Sequence, residues 1–81
     1  MFEKYVQAAM RQAQYEILED DGSFFGHIPP LQGVWANEPT LEACREELES
    51  ALEDWILFGI SLHHSFPIIE GLELTVPVEV A

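Results

Sequence analysis

Four turn signals crowd into the stretch from Asp20 to Pro39: Asp20-Asp21-Gly22-Ser23, Pro29-Pro30, Leu31-Gln32-Gly33 and Asn37-Glu38-Pro39. Breaks this close leave no room for a helix, so the segments between them must be short strands. Asp-Gly favours a hairpin turn because glycine accepts positive φ without a Cβ penalty. QYEILE at 14–19 is therefore expected as a first strand, Phe24 to Ile28 as its return, and Val34 to Ala36 as a third. Pro29-Pro30 ends the second strand, since neither residue can donate to a ladder.

Helical spacing appears on both sides of this block. Phe2, Val6, Ala9, Met10 and Ala13 fall on one face of a helix over 2–13 that is too short to be stable alone and must dock. Thr40 is an N-cap signal, and Glu42 lies in the first turn, where the helix dipole favours negative charge. The helix it opens is expected to run to about Leu57, with Leu41, Cys44, Leu48, Ala51, Leu52, Trp55 and Ile56 as its apolar stripe and Gly59 as its stop. A connection over 61–67 follows, then Ile68-Ile69, an interruption at Glu70-Gly71, and a last alternating strand at 72–76 limited by Pro77.

The order α-β-β-β-α-β predicts an α+β fold, a small and mostly antiparallel sheet with the long helix packed on one face. If the final strand lies beside the first, that helix is the crossover a parallel pair requires. At 81 residues the chain is expected as one domain, with 1–13 a helical extension, 14–76 the core and 77–81 a tail. A domain this small buries only about 60% of its unfolded surface. A homo-oligomer, a dimer or larger, is the expected remedy, because a single cysteine forms no intrachain disulfide.

Charge narrows the function. Fifteen acidic residues face three basic ones, for a net of −12. Direct binding to nucleic-acid phosphates draws its affinity from Lys and Arg and is not expected. A basic partner is favoured instead, and its encounter would be accelerated; the simpler account is that the charge keeps the protein in solution. Cys44, on the apolar stripe with no basic neighbour in sequence, is expected as a small buried hydrophobe rather than a nucleophile. A lone cysteine and no signal peptide point to the cytoplasm, and no apolar run approaches the roughly 18 residues a membrane span needs.

Sites for chemistry are sparse. Asp20 and Asp21, with Glu16 and Glu19 nearby, form a carboxylate cluster, but it lacks the alternating oxygen ligands of a calcium loop, and turn formation accounts for the aspartates. His63-His64 lack partners at zinc spacing, and His27 stands alone on a strand. No nucleophile signature or phosphate-cradling glycine loop is present, so no enzyme activity, metal or cofactor is expected. Two surfaces remain as candidates for partner binding. Glu42, Glu46, Glu49 and Glu53 recur at four, three and four along one helix face, where like charges cost a few tenths of a kcal/mol each unless a basic surface docks. Phe24, Phe25 and Trp35 cannot all hide under one helix, because neighbours on a strand face opposite ways.

The motifs in YEILEDDGSFFGHIPPLQGVWANEPTLEACREELESALEDWI, residues 15–56, resemble the HicB family of type II antitoxins. The matching features are Glu19-Asp20-Asp21-Gly22, Phe24-Phe25, Pro30-Leu31-Gln32-Gly33 and Thr40-Leu41-Glu42-Ala43, with Phe66-Pro67-Ile68-Ile69-Glu70-Gly71 similar to the segment after the family's helix. The resemblance implies a partial ribonuclease-H-like fold without nuclease activity. It also implies neutralisation of a small basic RNA-cleaving HicA-type toxin, and homo-oligomers. The family's usual Gly-Cys is Gly33-Val34 here, and the N-terminal helix is an extension. Many members carry a C-terminal DNA-binding domain; the chain ends at Ala81, and operator binding is not expected. A stand-alone oligomer of the same fold with no toxin is the chief rival expectation, and a metal-dependent hydrolase using the carboxylate cluster is a third.

Overall fold

The Asp-Gly turn closes a hairpin in the computed structural model, which describes residues 2–74. Strand β1 (Gln14–Ile17) runs antiparallel to β2 (Phe24–His27), and β2 antiparallel to β3 (Trp35–Glu38), in the order β1-β2-β3. Leu18 N–H donates to the Ser23 carbonyl at 2.8 Å, and Gly22, at φ +71°, donates to the Leu18 carbonyl at 2.9 Å. Asp21 accepts from the Ser23 N–H at 3.0 Å and from its hydroxyl at 2.6 Å. These bonds favour the ionised carboxylate and hold Asp21 below its usual pKa.

Helix α2 (Leu41–Ser61) begins where Thr40 predicts, with the Thr40 hydroxyl accepting from the Ala43 N–H at 3.1 Å. Cys44, Leu48, Leu52 and Ile56 recur every fourth residue, are buried, and form the core with Ile28, Leu31, Val34 and Ala36. Leu41, expected in that stripe, stays about half exposed. Gly59 does not stop the helix. It lies inside α2, and a Cβ there would come within 2.7 Å of the Phe66 ring, so this glycine serves a close approach rather than a turn. The stop comes later. His63 takes φ +58° while its N–H donates to the Ile60 carbonyl, and the His64 N–H donates to the Gly59 carbonyl at 2.8 Å. That paired arrangement satisfies the last free carbonyls of the helix.

Helix α1 (Glu3–Arg11) buries Tyr5, Val6, Ala8 and Ala9 and lies beside α2. It is tied to the far end of the chain. Tyr5 donates its hydroxyl to the Pro67 carbonyl at 2.7 Å, and Arg11 and Gln12 both donate to Glu70, Arg11 Nη2 at 2.6 Å and Gln12 Nε2 at 3.0 Å. The Arg11 bonds, then the Gln12 bond, hold the Glu70 carboxyl below its usual pKa. Glu70 and Gly71 both take positive φ, and Ile69 and Leu72 exchange two backbone hydrogen bonds, as in a tight two-residue hairpin turn. The last strand expected over 72–76 is thus represented by a single bridge from Leu72 to Ile69. Residues 73–74 join no strand, and 75–76 and the tail at 77–81 lie outside the described residues.

Candidate functional site

The register of the hairpin decides which aromatics face outward. Tyr15, Gly26 and Ala36 are aligned across the sheet and point toward α2. Gly26 is required there, since a Cβ would lie 2.9 Å from the Tyr15 ring and 3.1 Å from the Cys44 sulfur. The neighbouring position on β2 therefore points away from α2. The Phe25 ring stacks on His27 at 5.8 Å and on Trp35 at 6.1 Å between centroids. Trp35 is 58% exposed. Beside the stack lies a depression of about 400 Å³ that Ile28, Leu31 and Val34 also line. Phe24, named with these residues from sequence, packs instead against the core. The ambiguity at Phe24-Phe25 is resolved in favour of Phe25. His27 completes the outer cluster; its place two residues after Phe25 was the available signal.

This outer face is nearly free of charge in a strongly acidic chain. By register it carries Gln14, Glu16, Phe25, His27, Trp35 and Asn37, with Glu16 its one carboxylate. Helix α1 packs on α2, so the aromatic stack is open among the described residues.

Glu42, Glu46, Glu49 and Glu53 are all exposed along α2. The ion pair among the described residues joins Arg11 to Glu70 and leaves this row to itself. Arg45 shares a shallow hollow with Glu46, Glu49 and Glu53. The row and the aromatic stack lie on opposite sides of the sheet, so a small contact footprint touches one or the other.

A third feature was not legible in the sequence. A groove of about 890 Å³ runs between α1 and α2. Val6, Met10, Ile56 and Leu57 are among its apolar residues, and Glu49, Glu53 and Asp54 stand on its α2 side. Tyr15 also lines it; its hydroxyl oxygen is buried without a hydrogen-bond partner among the described residues, and burial raises its pKa. The groove depends on how α1 docks, which contacts about sixty residues apart determine.

The remaining polar candidates have structural roles. Cys44 is fully buried, with its sulfur 3.5 Å from the Ala36 carbonyl, and burial raises its pKa, as expected of an inert thiol. His63 and His64 are exposed and end α2 through their backbone. Asp21 is engaged by Ser23. Among the described residues no three His, Cys, Asp or Glu side chains gather as a metal site would require, and no helix is long and apolar enough to cross a membrane.

A family model for the UPF0150-like proteins matches residues 4–67. The chain belongs to that family. The UPF0150-like match takes in all of α1 but Glu3, the whole sheet and α2, and ends at Pro67, whose carbonyl accepts from Tyr5, before Glu70. Among solved structures, the crystal structure of TTHA0281 from Thermus thermophilus is similar at 35% identity and a TM-score of 0.86, with 95% of each chain covered. No curated protein matches.

Proposed function

We propose that this UPF0150-like protein is a non-catalytic, HicB-like antitoxin that neutralises a small basic RNA-cleaving toxin of the HicA type by protein–protein contact. The observation that supports it is the unpaired carboxylate row Glu42, Glu46, Glu49 and Glu53 on a chain of net charge −12. Such a surface attracts a cationic partner over a distance of about 10 Å at moderate salt. The row persists despite the like-charge penalty along α2, which a docked basic surface would reverse. Affinity capture at low salt from source cells, with bound proteins identified by mass, tests the reading. A stoichiometric basic protein released by raised salt, whose RNA cleavage stops on adding this chain, is the expected result. Recovery of the bait alone would overturn it.

A second reading, a stand-alone homo-oligomer without a toxin, is favoured by the open Phe25–His27–Trp35 stack. Two copies of an acidic chain repel, and this nearly uncharged face is where they can meet at least cost. Light scattering on the wild type and on Trp35→Ala tests it: an assembly that Trp35→Ala dissociates supports the reading, and a wild-type monomer removes it.

A further inference from the structure

We propose that the groove between α1 and α2 seats a cationic amphipathic helix of a partner protein. The assignment rests on the antitoxin reading for the partner's identity, and on the geometry of the groove for its chemistry. The apolar surface of the groove comes from Met10 on α1 and Leu57 on α2, above the buried Val6 and Ile56, within a lining that is otherwise mostly polar. Leu57 is 59% exposed, a large side chain left to solvent at the groove's edge. An apolar surface between two helices is the setting in which a third helix lays its own apolar stripe.

The rim sets the sign of the partner. Glu49, Glu53 and Asp54 stand along α2, and Glu3 stands on α1. Of the two arginines at the groove, Arg11 is already held by Glu70, so its charge is largely spent. The hollow at Arg45, Glu46, Glu49 and Glu53 shares three residues with the groove and continues its acidic edge. From Arg45 to Leu57 the α2 wall is about 18 Å long at 1.5 Å per residue. That length suits roughly three turns of a docked helix. Leu side chains would meet the apolar surface, and Lys or Arg side chains on the flank would meet the carboxylates.

The probe is a synthetic peptide of about 14 residues, long enough to form an amphipathic helix when bound, built of Leu and Lys at helical spacing. It is titrated into the full-length, isotopically labelled chain while amide resonances are followed. A scrambled peptide of the same composition serves as control. Saturable shifts at Val6, Met10, Ile56 and Leu57 are expected, with affinity falling as salt is raised. Leu57→Ser should weaken binding about tenfold, as loss of a large exposed apolar contact that becomes buried on binding does. Glu49→Gln with Glu53→Gln should weaken it and flatten the salt dependence, while Trp35→Ala on the opposite face should leave it unchanged. Equal binding of the scrambled peptide, shifts confined to Phe25 and Trp35, or no saturation by millimolar peptide would overturn the proposal. The two readings fail separately. Peptide binding in the groove with no toxin captured from cells would sink the antitoxin alone. A captured toxin whose affinity ignores Leu57→Ser would sink the groove alone.

Discussion

Gly26→Ala is the change whose sign the structure decides against general expectation. In a strand interior, alanine normally gains about 0.5–1 kcal/mol over glycine, because the unfolded chain has less entropy to lose. Here the new methyl would sit 2.9 Å from the Tyr15 ring and 3.1 Å from the Cys44 sulfur. These obstacles belong to different elements, β1 and α2, so one side chain swinging aside does not clear both. Forcing an extra carbon into such a site costs about 1–3 kcal/mol. With two obstacles the upper half of that range, about 2–3 kcal/mol, applies, and after the gain of about 0.5–1 kcal/mol the net loss is about 1–2.5 kcal/mol. For a domain of this size that lowers Tm by about 4–20 °C. Urea and thermal unfolding, followed by circular dichroism at one fixed protein concentration, measure it. The paired change Gly26→Ala/Tyr15→Val removes the closer obstacle, so the double-mutant cycle should show a coupling of about 1–2 kcal/mol in the rescuing direction. A Gly26→Ala protein more stable than wild type, or a cycle with no coupling, would refute the packing argument and the orientation of the sheet on α2.

Other outcomes follow from the same geometry. Asp21 and Glu70 have lowered pKa values, so their contribution is complete above the usual carboxylate range and is lost as pH falls below about 4 through the folded values. Between pH 7 and that range, protonation relieves the repulsion of a −12 chain, so Tm should rise on mild acidification and then fall, and added salt should raise it at pH 7. A Tm that falls steadily from pH 7 downward would contradict this. His63→Gly should stabilise by about 0.5–1 kcal/mol in urea unfolding, because His63 holds the left-handed conformation that ends α2. Leu52→Ala should cost about 2–5 kcal/mol in the same assay, since Leu52 is wholly buried in the core.

What the sequence disclosed was local chemistry. The Asp21-Gly22 turn, the Thr40 cap and the four-residue recurrence of Cys44, Leu48, Leu52 and Ile56 each rest on residues within a turn or two of one another, and each appears where expected. What it hid depends on partners distant in the chain. Gly59 looked like a stop because the rule for helix ends sees a glycine but not the Phe66 ring packed on it. Alternation made one of Phe24 and Phe25 face outward without saying which; the pairing of β2 with its neighbours settles that. The groove was invisible for the same reason, since only the docking of α1 beside α2 creates it. The carboxylate row could be read directly because an exposed helix face needs no tertiary partner to define it.

The clasp between Arg11 and Glu70 has a consequence for how the chain is made. Its two residues are 59 positions apart. At a synthesis rate of about 5–20 residues per second, roughly 3–12 s separate their appearance. Until Pro67 and Glu70 emerge, α1 lacks the hydrogen bonds that anchor it to the far end of the chain. The hairpin and α2 make mainly short-range contacts and can form early, but the N-terminal helix must await contacts of high sequence separation. Helix α1 is thus fully secured only after the sheet and α2 that follow it in the chain.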